Sequence, residues 1–180
     1  MGEQQKVLKV IVVQGKRLVI RDFKSSDPYV VVKHGNQVRH LPYSSSSLNL
    51  PQVAKTKVIN SCLNPEWNEE FTFSFSDPSS ILNLEVFDKD RFKADDEMGK
   101  AFLNLQPLAL ASRLKNIIRV SSTAVLRKVV PDSDNCVARE SCISCRGSEE
   151  VEQNVWLKLK GVESGEIELN IRLLDSANFD

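Results

Sequence analysis

The strictest constraint in this sequence is a hydrophobic period of two. Phe71, Phe73 and Phe75 alternate with Thr72, Ser74 and Ser76, and Ile167, Leu169, Ile171 and Leu173 alternate with Glu166, Glu168, Asn170 and Arg172. Successive side chains of an extended chain point to opposite faces, so each segment offers one face to a core and one to water. That pattern belongs to antiparallel sheets with one solvated side. Similar segments run over 6–13, 28–33, 56–60, 81–87, 98–105 and 154–160, separated by turn chemistry such as Ser76-Asp77-Pro78-Ser79. Eight short strands with turns between them predict an all-β antiparallel sandwich.

A chain of 180 residues, 41% hydrophobic, has material for one core, so a single domain over 1–180 is expected. Lys plus Arg and Asp plus Glu both number 24, which gives no reason to expect nucleic acid as a partner. Electrostatic function must therefore reside in local clusters. The apolar run 10–13 is too short for a signal-peptide core, and no segment approaches the roughly 20 apolar residues of a membrane span. A cytosolic protein is expected. Gly2 raises the question of myristoylation, but Lys6 stands where that motif requires Ser or Thr. Cys142 and Cys145 have the spacing of a metal or redox dithiol, yet neither His34 nor His40 lies at a finger-like spacing, so the four cysteines are read as reduced thiols.

Two segments interrupt the strands. Residues 107–120 read as a helix with Leu110, Leu114, Ile117 and Ile118 on one side and Arg113, Lys115 and Arg119 away from them. The polar stretch 121–153 is read as a long, partly ordered connection. Together, 107–153 form an insertion before the penultimate strand. The segment 39–53, with its Ser44-Ser45-Ser46-Ser47 run, shows neither period and is read as a flexible loop insertion.

The candidate chemistry lies in two acidic clusters. Asp22 and Asp27 fall on the loop after the first strand; Asp88, Asp90 and Asp96 surround the loop after the 81–87 strand. Both loops lie at the same end of a sandwich if the strands run as assigned. Asp88 and Asp90 share a side by period-two geometry. At an effective dielectric near 20 and a few Å, two carboxylates repel by roughly 4 kcal/mol, so the cluster is unfavourable until a cation enters. Oxygen ligands without His or Cys select calcium over zinc or copper, and flexible loops suit calcium better than octahedral magnesium. Taken singly, aspartates in loops usually cap turns; five at these spacings point to a site.

The spacing resembles the C2 domain, whose first calcium loop supplies an aspartate and the aspartate of Ser-Asp-Pro-Tyr, and whose third supplies Asp-x-Asp and a later aspartate. The corresponding residues are Asp22, Asp27, Asp88, Asp90 and Asp96. Asn64-Pro65-Glu66-Trp67-Asn68-Glu69 and Met98-Gly99 match further C2 signatures. By position the resemblance also implies the main-chain carbonyls of Arg21 and Lys89 as ligands, and it leaves Asp95 off the ligand spacing. The calcium loop follows the very first strand, and Gly165-Glu166-Ile167-Glu168-Leu169 resembles an opening strand moved to the C-terminus, which is the type II arrangement. Within that group the chain resembles the plant C2-domain abscisic-acid-related proteins. Asn135-Cys136-Val137-Ala138-Arg139-Glu140-Ser141 and Val155-Trp156-Leu157-Lys158-Leu159 carry the match, which covers nearly everything except 39–53.

Two to three calcium ions would leave cationic Arg21, Lys24, Arg91 and Lys93 around the loop rim, attractive to an anionic membrane. Phe23 and Phe92, midway along the two loops, are candidates for insertion between headgroups. Lys33, Lys55 and Lys57 alternate on neighbouring strands and resemble the lysine-rich groove by which some C2 domains contact phosphoinositides. The family resemblance implies a cytosolic protein, with a nuclear pool besides, that moves to the plasma membrane when calcium rises and carries abscisic-acid receptors with it. It also implies stimulation of an Obg-like GTPase or ATPase, and a receptor surface within 110–150. A catalytic reading is disfavoured, because no serine sits in a nucleophile elbow and no base partner is evident.

Overall fold

The computed structural model describes residues 6–40, 47–118, 123–147 and 149–175. They form two antiparallel sheets packed face to face. In chain order the elements are β1 (Lys6–Lys16), β2 (Pro28–His40), β3 (Ser47–Lys55), β4 (Glu66–Phe75), β5 (Ile81–Asp88), β6 (Asp96–Asn104), α1 (Gln106–Ile118), β7 (Val125–Val129), β8 (Ser141–Arg146), β9 (Glu150–Lys158) and β10 (Glu166–Asp175). One sheet has the order β4-β1-β10-β9-β8-β7 and the other β3-β2-β5-β6.

The period-two segments build the core as their pattern requires. Leu8, Val10 and Val12 of β1 and Leu169, Ile171 and Leu173 of β10 are wholly buried, and Phe73, Phe75, Leu82 and Leu84 meet them from β4 and β5. Each such side chain contributes about 1.5–3 kcal/mol on leaving water. β1 pairs with both β10 and β4, and its register slips in both ladders between Val12 and Gln14. A bulge of this kind bends the strand and strengthens its twist just before the first acidic loop.

Three sequence expectations change. The strand count among the described residues is ten rather than eight, because 121–153 contains the β7–β8 hairpin and the first residues of β9. Segment 56–60 is loop, not strand: Thr56 Oγ1 accepts the Val30 amide at 2.9 Å, and Trp67 Nε1 donates to the Lys57 carbonyl at 3.1 Å. The strand that pairs with β2 is β3, most of which lies in the 39–53 segment read as a loop; residues 41–46 fall outside the described residues.

The helix is present but turned. Its buried residues are Leu108, Ala109, Ala111, Ser112 and Lys115, while Leu110, Leu114, Ile117 and Ile118 are 45, 40, 77 and 52% exposed. Asn104 Oδ1 accepts the Gln106 amide, satisfying one open donor of the first turn, and Pro107 sits where a missing amide is harmless. α1 closes the end of the sandwich opposite the acidic loops. Leu105, just before it, donates to Ser80 ahead of β5, while Lys6 at the start of β1 donates to Ser112 Oγ at 2.7 Å and Asn116 donates to Asp175 at the end of β10 at 3.1 Å. Arg119 and Val120 lie outside the described residues.

Cys142 and Cys145 stand three apart on β8, hence on opposite faces of the sheet; Cys145 is buried and all four cysteines are free. Strand geometry thus separates the two thiols that their spacing would pair.

Candidate functional site

Strand pairing brings the acidic residues to one pole. Pro28 lies opposite Asp88, and Asp88 lies opposite Asp96, so the start of β2, the end of β5 and the start of β6 are adjacent rungs. The loop 17–27 arrives beside them. Ser26, fully buried, anchors it: its hydroxyl accepts the Arg21 amide at 2.9 Å and donates to the Val19 carbonyl at 3.2 Å. Asp27 is joined to the neighbouring loop, since its amide donates to Asp88 Oδ1 at 2.5 Å and its carbonyl accepts the Lys89 amide at 3.0 Å.

Asp88 is 1% exposed. Burial, opposed by the Asp27 amide, raises its pKa, and the neighbouring charges of Asp22 and Asp27 push in the same direction as burial. Its Oδ2 is buried without a hydrogen-bond partner, and so is Oδ2 of Asp90. Buried carboxylate oxygens with no donor are costly, because they have surrendered water and received nothing. The donors that do arrive are unevenly shared. Lys93 Nζ lies 2.6 Å from Asp96 Oδ2 and 3.4 Å from Asp90 Oδ2, and its pKa is raised, chiefly by the Asp96 hydrogen bond.

Asp95, which the spacing leaves unassigned, is fully engaged. It accepts from the Tyr29 hydroxyl at 2.6 Å, from Lys89 Nζ at 2.9 Å and from the Asp90 amide at 3.1 Å. The Tyr29 bond, followed by the Lys89 bond, depresses its pKa to about 2, while burial and Asp95 lift Tyr29 to about 12. Asp95 therefore braces the loop against β2.

No group of three or more His, Cys, Asp or Glu side chains is already gathered to hold a metal among the described residues. The cause is visible in the partners: Asp27 Oδ1 is taken by the Ser61 amide at 2.7 Å, Asp88 Oδ1 by Asp27, and Asp96 by Lys93. The donor set itself, all hard oxygen with two buried oxygens unspent, fits a hard divalent cation.

Sequence reasoning missed the third loop of this pole, 56–65. Ser61, in the left-handed region at φ 51°, reaches Asp27, and the Cys62 amide donates to the Ser26 carbonyl at 2.9 Å. The turn residues Asn60-Ser61 were the available signal. Gly99 holds another constraint: at φ +111° a Cβ would lie 2.7 Å from Val162 Cγ2, so Met98-Gly99 lets 159–162 lie against β6.

At the tip Phe23 is 94% and Phe92 99% exposed. Lys24 stands over the Phe23 ring at 5.7 Å, whereas Arg21 Nε donates to the Glu97 carbonyl at 2.9 Å. Arg91 is exposed. Of the three lysines expected on neighbouring strands, Lys33 bonds Glu85 at 2.7 Å and Lys55 lies 3.6 Å above the Tyr29 ring, while Lys57 is exposed but lies beyond the end of β3, in the 56–60 loop.

The profile of the C2 domain matches residues 6–120. Protein C2-DOMAIN ABA-RELATED 11 of Arabidopsis thaliana is 60% identical over 97% of this chain and 96% of its own length. The chain belongs to the plant C2-domain ABA-related family. A second relative, GTPase activating protein 1 of Oryza sativa, is 42% identical over 97% of this chain and 95% of its own. Among solved structures, a C2 domain of plant Extended Synaptotagmin 1 superposes with a TM-score of 0.61 at 20% identity, covering 98% of this chain and all of that one. In this member of the C2-domain ABA-related family, the segment after β6 forms α1 and the β7–β8 hairpin, which widens one sheet to six strands.

Proposed function

We propose that this chain is a calcium-dependent phospholipid-binding module, not an enzyme, that docks reversibly on anionic membranes and presents its insertion to protein partners. The observation that carries the reading is the coincidence at one pole of two buried, unpartnered carboxylate oxygens, Asp88 Oδ2 and Asp90 Oδ2, with two almost fully exposed phenylalanines. Asp22, Asp27, Asp88, Asp90 and Asp96, with the carbonyls of Arg21 and Lys89, would hold two to three calcium ions. Two ions would change the charge of the five carboxylates from about minus five to about minus one and offer an open coordination position to lipid phosphate. Phe23 and Phe92 would enter the headgroup region, with Arg21, Lys24, Arg91 and Lys93 at the rim; Lys33 and Lys55 would contact headgroups from the sheet face and Lys57 from the adjoining loop.

The opposite pole is available while the loops are docked. There α1 leaves Leu110, Leu114 and Ile117 bare at spacings of four and three, one stripe of a helix. Recruitment of abscisic-acid receptors through a surface within 110–150 follows the family and fits this exposed stripe. The name of the rice relative supports a second reading, stimulation of an Obg-like GTPase or ATPase, for which Arg113 and Arg127 are exposed candidates and Arg119 lies outside the described residues. The expected location is cytoplasmic and peripheral at the plasma membrane on a calcium rise, with a nuclear pool besides; no described helix is long and apolar enough to cross a membrane.

Calorimetric titration with calcium, with and without phosphatidylserine vesicles, tests the reading. Wild type should bind calcium more tightly when vesicles are present, reversibly with chelator. Asp88→Asn/Asp90→Asn should lose about 100-fold or more in calcium affinity, as removal of two charged ligands implies. Equal isotherms for the two proteins would refute the site.

A further inference from the structure

Two of the loop aspartates already share a cation, and it is supplied by the protein itself. Lys93 stands three residues after Asp90 and three before Asp96, at the crest of the loop, and its ammonium reaches both carboxylates. The contact with Asp96 is a short hydrogen bond; that with Asp90 is long enough to attract but not to bond, and Asp90 Oδ2 stays without a donor. Lys89, the other lysine of this loop, points elsewhere, to Asp95, which is not among the proposed ligands.

An ammonium compensates such a pair only partly. It carries one charge and three donors, whereas a calcium ion carries two charges and takes six to eight oxygens. The Lys93 side chain is 58% exposed, so its release meets little steric resistance, and an exposed ion pair is weakly held.

We propose that Lys93 is a tethered counter-ion that stands in for the divalent cation between Asp90 and Asp96 in the resting protein, is expelled when calcium enters, and then turns to the anionic headgroups. The proposal rests on the calcium reading above. One side chain thereby links two events. Its competition sets the calcium level at which the loop fills, because a tethered group competes at a fixed effective concentration. Its release adds a free cation to the rim beside Lys24 and Arg91.

The direct test is amine acylation followed by mass spectrometry on the full chain, in calcium and in chelator. Lys89 serves as the reference within each sample. Lys93 should acylate about two- to fivefold faster in calcium, the ratio allowed by loss of an exposed ion pair, while Lys89 changes less. Lys93→Met should bind calcium about two- to fivefold more tightly without lipid, by the same measure. At saturating calcium it should partition about fivefold less onto phosphatidylserine vesicles, the effect of one cation near a charged leaflet. A normal wild-type isotherm with Lys93 acylation indifferent to calcium would overturn the proposal alone. A flat wild-type isotherm would remove the calcium reading and the proposal together.

Discussion

At the loop pole, carboxylates outnumber the cations that reach them; at the helical pole the imbalance is reversed. Asp88 is buried with one oxygen free, while at the other end Lys115 is 4% exposed with its ammonium unbonded and 3.8 Å from Asp175. Asp175 also takes Lys6 at 2.7 Å and the Asn116 amide, which together hold its pKa below the usual range against the opposing effect of burial. The helical pole thus offsets the buried charge of its helix internally, with a carboxylate at the end of β10. The loop pole leaves its own to be answered from outside. Both poles expose apolar side chains; among the described residues, those of the loop pole accompany buried carboxylate oxygens that no donor reaches.

The largest effect should come from removing the exposed rings. Phe23→Ala plus Phe92→Ala should lower calcium-dependent vesicle partition by about 1,000-fold, the value of two aromatic side chains leaving water. Sedimentation checks it, and the melting temperature should not move. Leu114→Ser plus Ile117→Ser, at the other pole, should leave partition unchanged; a loss there would erase the distinction between the poles.

Next in size is the internal compensation. Asp175→Ala would strand Lys6 and the buried Lys115, costing about 3 kcal/mol in urea unfolding. Lys115→Met, which removes the unbonded ammonium instead, should be neutral or stabilising. Equal losses from both substitutions would mean that packing, not charge, holds α1.

The smallest effect concerns His34, between the poles on β2. It is 2% exposed, its Nδ1 lacks a partner, and burial depresses its pKa. The unfolded chain takes up a proton near pH 6.5 that the folded state resists, so the stability contribution is full above that pH and is lost as pH falls below it. Melting temperatures between pH 7 and 5 should fall more steeply for wild type than for His34→Leu.

Much of the loop pole is legible in the sequence because its signals are local. Asp22, Asp27, Asp88, Asp90 and Asp96 sit where period-two strands end, and the ladders then place those ends side by side. The helical pole is not, because its decisive contacts are remote. Nothing near Lys115 announces that Asp175 will meet it, so the helical period points to the aliphatic face of α1 as the buried one. Ala109, Ala111 and Ser112 instead let the helix lie close to the sheets. Strands β7 and β8 are hard to see because they are short and rich in Ser, Cys and basic residues, and β3 because its segment follows a serine run. Apolar Val58 and Ile59 suggest a strand where Thr56 already turns its hydroxyl to β2.

The pairing of β1 with β10 has a consequence for biosynthesis. Gln14 and Glu168, bonded across this ladder, are 154 residues apart. At ribosomal rates, roughly 8 to 30 s pass between the emergence of the two. Throughout that interval one edge of β1 stays open on the nascent chain, a template for stray strands, so the growing polypeptide is expected to need chaperone cover until β10 has emerged.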